Sequence, residues 1–165
     1  MPFTPYHLGL GFLIGIVFFK FFDFLTFLFA SMIVDLEPLS VILFRLHLPL
    51  HGFFHSFLGG SLVAVLLAIF MYAMKKPFAR MLSVFKLSQK SSFKKILLTS
   101  FFGVYSHVLI DSFMHKGMEP FFPLEGNPFL GLFSLSQVTD FCLWSFLFGL
   151  LIYFLRFIFF SAKGR

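Results

Sequence analysis

His107 and Asp111 stand four residues apart in Ser106-His107-Val108-Leu109-Ile110-Asp111, inside an apolar stretch. On a helix, residues i and i+4 share a face one turn apart. An imidazole and a carboxylate so placed can hold one metal ion between them. His51 and His55 repeat the spacing, and His7 opens the first apolar region. Asp35-Leu36-Glu37 adds two carboxylates just before Pro38, where a helix is expected to stop. Such a donor set suits a divalent metal: zinc first for a nitrogen-rich hydrolytic site, manganese or iron as alternatives. A bound metal lowers the pKa of its water toward neutrality, and more than one metal can bind both the attacking and the leaving oxygens of a phosphoester. Glu37 is the candidate for a further ligand or for a general base.

Plainer readings stand beside these. His107 and Asp111 can be a polar pair joining helices. His51 and His55 can be histidines of a membrane interface. His47 has no motif around it, and His115 and His7 carry little signal alone. Cys142, Trp144 and Tyr153 read as core or interfacial residues.

The elements that must position these groups are membrane helices. The chain has 165 residues, enough for a single domain, 1–165. Apolar residues make up 59% and charged residues 12%, with a mean hydropathy of +0.95. A soluble protein could not cover that much apolar surface with so few polar side chains. The expected class is all-α, an integral membrane helical bundle. The lone Cys142 excludes an intramolecular disulfide and a cysteine-based zinc site. No basic residue precedes Leu8, and Lys20 and Asp23 interrupt the first apolar stretch. That argues against a signal peptide and for 1–165 as the mature chain.

Three apolar runs, 56–74, 96–114 and 138–160, are long enough to span a bilayer. Region 6–34 is apolar too, with Lys20 and Asp23 at its middle. It is one span or a hairpin of two helices of about a dozen residues, each about 18 Å long. Between Lys75 and Lys95 lie Lys75, Lys76, Arg80, Lys86, Lys90, Lys94 and Lys95, with no acidic residue. The positive-inside rule places that loop in the cytoplasm, at the plasma or inner membrane. Arg156, Lys163 and Arg165 place the C-terminus there as well. The net charge of +6 is thus a topology signal with affinity for anionic lipid, and no nucleic-acid partner is expected.

Loop 115–139 then lies on the opposite face. There His51, His55, His107 and Asp111 converge. His7 and Asp35 join them only if 6–34 is a hairpin, and this convergence favours the hairpin.

These motifs resemble the YdjM-type family of predicted membrane-bound metal-dependent hydrolases, thought in turn to resemble zinc-dependent phospholipase C. That family shows an early His-x-x-x-Gly, a Pro-Asp-x-Asp segment, a His-Arg-x-x-Thr-His-Ser segment, and a Ser-His-x-x-x-Asp helix followed by Gly and Trp-Pro or Phe-Pro. The matching stretches here are His7 to Gly11, Asp35-Leu36-Glu37-Pro38, His51-Gly52-Phe53-Phe54-His55-Ser56, and Ser106 to Asp111 with Gly117 and Phe122-Pro123. The histidine pair is one residue closer here, the family's Arg is missing, and His115 has no usual counterpart. Arg45 and Lys116 are the available substitutes for that Arg. The resemblance covers residues 5–125 and implies an ester or phosphoester hydrolase with a metal held by His7, Asp35, His51, His55, His107 and Asp111. A lipid or phosphoester substrate is the implied partner. The competing reading is a non-enzymatic membrane protein, a metal-handling transporter or a scaffold. A transporter needs a polar route through the bilayer, whereas 57–74 and 138–155 are almost wholly apolar.

Overall fold

The computed structural model describes residues 5–163, and the side chains of residues 6–159. Arg165 of the basic C-terminal tail lies outside them. The chain is all-helical: α1 (Pro5–Val17), α2 (Phe24–Ala30), α3 (Leu36–Leu43), α4 (Phe57–Ala73), α5 (Lys75–Val84), α6 (Phe93–Ser112) and α7 (Leu135–Lys163). Short 3-10 turns, Ile33–Asp35 and Phe53–His55, precede α3 and α4.

Region 6–34 is a hairpin. The polar residues that interrupt it form its tip. Asp23 caps α2, accepting hydrogen bonds from the Thr26 amide at 3.0 Å and the Thr26 hydroxyl at 2.6 Å. Its other oxygen accepts from the Ser91 hydroxyl at 2.5 Å. Gln89 donates to the carbonyls of Phe19 and Phe22 and accepts from the Phe24 amide. The backbone groups freed by the turn therefore find partners inside protein, the condition for irregular backbone at membrane depth.

α6 is the central helix. It packs against α2 and α4, while α1 packs against α2 and α7. Small residues allow the close approaches. A Cβ at Gly103 of α6 would collide with Ala30 of α2, and one at Gly9 of α1 with the Cys142 carbonyl of α7. Without a hydrophobic drive between helices in lipid, such backbone proximity is what lets dispersion act. The Ser61 and Tyr105 hydroxyls add a 2.7 Å hydrogen bond between α4 and α6. Val104, Val108, Ala64 and Ala68 fill the seam, fully buried. The outer faces of α4 and α7 stay apolar and exposed, as lipid contact requires.

Three segments are long and apolar enough to cross a membrane: Phe24–Leu43, Phe93–Ser112 and Leu135–Phe159. The expected spans at 96–114 and 138–160 correspond to the second and third. The expected run 56–74 is α4, with 17 residues, about 26 Å at the helical rise and short of a bilayer core of about 30 Å. At Met74 the chain bends by 72° into α5, which carries Lys75, Lys76 and Arg80. Part of the basic loop is thus a helix running across the bundle axis. Pro77 explains the bend: it has no N–H for the Ala73 carbonyl and its ring crowds that carbonyl, so the helix does not run on straight, and the basic residues leave the apolar span with it.

Candidate metal centre

Each ring and carboxylate at the opposite end of the bundle is positioned by a local device. α6 presents His107 and Asp111 on one face, both buried. The His107 Nδ1–H donates to the Ser31 carbonyl, 2.9 Å away, just past the end of α2. That fixes the tautomer and turns the Nε2 lone pair toward Asp35 Oδ1 at 3.5 Å and Asp111 Oδ2 at 3.4 Å. His55 is held the same way. Its Nδ1–H donates to Glu37 Oε2 at 2.7 Å, and its Nε2 faces Asp35 Oδ1 at 3.9 Å and Asp111 Oδ2 at 3.8 Å. The amides of Gly52 and Phe54 also donate to the Glu37 carboxylate, which ties the 52–54 turn to α3.

Asp35, His55, His107 and Asp111 thus bring one donor atom each within 4.8 Å of one another. Among the described residues, Nε2 of His55 and Nε2 of His107 have no hydrogen-bond partner, nor has Oδ2 of Asp35. Buried polar atoms left so are costly. A tetrahedral ion with bonds of roughly 2.0–2.1 Å has ligand–ligand edges of about 3.3 Å. The four cross-distances of 3.4–3.9 Å are close to such edges and too long for good hydrogen bonds. The residues present therefore fit a four-coordinate divalent metal.

Around Asp111 stand three more imidazoles. His7, from the first turn of α1, puts Nε2 3.0 Å from Asp111 Oδ1. His51 Nε2 lies 4.0 Å from Oδ2, and His115 Nε2 lies 4.0 Å from Oδ1. The His51 and His115 rings stack with centroids 4.0 Å apart. Burial, then the neighbouring His115, holds His51 down to about 4. Burial also holds His115 below its ordinary value. Both rings are neutral near pH 7 and keep a lone pair for a metal. Burial pulls His55 down too, but the carboxylates of Asp35 and Glu37 outweigh it and raise its pKa. The inner position thus favours positive charge.

The structure brings His7, Asp35, His51, His55, His107 and Asp111 into one cluster. Glu37, the candidate for a further ligand or a general base, stands beside the cluster against the His55 ring. It is outside both groupings of potential metal donors, with its carboxylate oriented by two amides and the His55 ring. The reason is Gly52, whose missing side chain lets the turn close onto that carboxylate. His115 is the residue that sequence reasoning passed over. Its signal was the continuation of the four-residue step, 107, 111, 115, one turn beyond Asp111. His47, Arg45 and Lys116 are exposed.

The family model for YdjM inner membrane proteins matches residues 1–163. No curated protein and no solved structure matches the chain. The match carries the family, and does not extend the likeness to zinc-dependent phospholipase C.

Proposed function

The chain belongs to the YdjM inner membrane protein family, and from that premise we propose a membrane-bound, metal-dependent hydrolase of ester or phosphoester bonds. The observation that supports it is the convergence of two buried Nε2 atoms, each aimed by its own Nδ1 contact, on Asp35 and Asp111. Asp35, His55, His107 and Asp111 would hold the metal, with zinc the first choice for this donor set. A metal at this cluster that keeps one position open to water would neutralise charge on the ester oxygens and make that water a nucleophile near neutral pH.

The chain's own residues do the rest. Ser31 and Glu37 hold the two imidazoles in the ligating tautomer. Second partners of this kind commonly govern metal affinity. Glu37 is therefore a positioning residue in this reading. The surrounding apolar helices keep bulk water from all but the outer side, which strengthens electrostatic contacts there. An apolar groove of about 700 Å³ runs between α3, the 44–54 segment and α4, with Glu37 and Gly52 at its wall. Its size and lining suit the tail of a lipid whose head lies at the cluster. The site faces away from the basic α5 end, so the positive-inside rule puts it on the outer face and the C-terminus in the cytoplasm.

The test is metal content and turnover together. Detergent-purified protein is assayed for bound zinc and manganese and against a panel of lipid and soluble phosphoesters and esters. Metal-dependent hydrolysis that is lost with chelator and with His107→Ala is expected. Bound metal without turnover on any substrate, in protein that still folds and inserts, would favour a metal-handling or scaffold role.

A further inference from the structure

The cluster holds more donors than one ion takes. Asp35, His55, His107 and Asp111 complete a four-coordinate set, and in zinc proteins a set closed by four protein ligands leaves no position for substrate. Three imidazoles remain on the outer side of Asp111, and only His7 is within hydrogen-bonding distance of it. His51 and His115 approach its two different oxygens at 4.0 Å, too far for a hydrogen bond. Among the described residues neither ring has a hydrogen-bond partner through its nitrogens. These two stacked, partly buried imidazoles and the Asp111 carboxylate bring one donor atom each within 4.8 Å of one another.

Asp111 is built to serve both sides. Oδ2 faces His55, His107 and, at 4.0 Å, His51, while Oδ1 faces His7 and His115 and has no geometrically sound hydrogen bond despite its burial. We propose a second divalent-metal position formed by His51, His115 and Asp111, with the Asp111 carboxylate bridging it to the inner one. His7 beside Oδ1 completes its wall. The inference rests on the inner site proposed above and assigns the two positions different tasks. Of the inner ligands His55, His107 and Asp111 are 0–2% exposed and Asp35 13%, while His51 and His115 are 11% and 15% exposed. The outer position has three protein ligands and an open side. It is the place where water or a substrate oxygen can enter, as catalytic zinc sites require. The inner position fixes Asp111.

The experiment is a metal count. Wild type, His115→Gln, His51→Gln and His107→Ala are purified in detergent, equilibrated with zinc, freed of loose metal by gel filtration, and analysed by mass spectrometry of zinc against protein. Expected are two equivalents in wild type and one in each of the two outer-ligand variants. A thermal melt of each metal-free variant checks that it folds. His115 and His51 are partly exposed, so their replacement by Gln leaves the packed seam intact. One equivalent in wild type, or two retained in His115→Gln, overturns the second position. If wild type holds one and His107→Ala none, the inner site stands while the outer one falls. No bound zinc in folded wild type removes both.

Discussion

Glu37 touches His55 and stands outside the metal groupings, so its replacement has a graded expected effect. Glu37→Ala frees the His55 ring and should weaken metal affinity by roughly 10–100-fold, the usual consequence of losing such a partner. Glu37→Gln keeps an acceptor for the His55 Nδ1–H and should recover much of the loss. Competition with a chromophoric chelator reads both, and equal affinity in wild type and Glu37→Ala would remove the positioning role. His107→Ala should abolish binding at the inner position in the same assay. At this scale the sequence was most legible where spacing alone carried the information. His107 and Asp111 lie on one turn of α6, whereas His51 and His55, on a bend and a 3-10 turn, fall into different donor groupings. The contacts of Glu37 were not legible, because they depend on a turn 15 residues away folding back through Gly52. The Ser31 carbonyl that aims His107 is backbone, and no residue type announces it.

The hairpin and the central helix set the stability of the elements. Asp23→Ala removes the α2 cap and the Ser91 contact, and should cost about 1 kcal/mol from the cap alone. Asp23→Asn should cost less, since its amide oxygen can still cap. Gly103→Leu forces α6 away from α2 at Ala30 and should cost about 1–3 kcal/mol, typical of overpacking. Melting in detergent measures both, and an unchanged midpoint in Gly103→Leu would contradict the close approach. Hydropathy marked the apolar runs, and Lys20 with Asp23 marked the break that became the hairpin tip. The bend at Met74 was harder to read. Helical propensity continues through Lys75 and Lys76, and the signals were Pro77 and the change from apolar to basic composition.

The whole molecule has two unlike ends. One gathers histidines and carboxylates, and the other gathers lysines along α5 and the start of α6. Cysteine labelling in intact cells tests the orientation after Cys142→Ser: Lys86→Cys should resist an impermeant thiol reagent, and Leu124→Cys should react. The reverse pattern would place the metal cluster in the cytoplasm. Charge asymmetry carries the expected sidedness, since it is a property of composition along the chain. The joining of His7 to Asp111 was legible only through the hairpin, because nothing local in α1 specifies a partner in the sixth helix.

The hairpin is clasped at both ends by residues made much later: its tip by Gln89, Ser91 and Thr99, its mouth by Asp111. A ribosome releases the chain from the N-terminus onward. α1 and α2 are therefore made before any of these clasps exists, when Asp23 has only its cap on Thr26. The stretch from Gln89 to Asp111 brings both clasps together, and four residues later the last donor, His115, has been made. Biogenesis thus turns on one stretch of chain, Gln89 to His115. A nascent chain stalled before Phe93 lacks the clasp at the mouth, while one stalled just past His115 already contains every side chain of the metal cluster, with α7 still to close the outside.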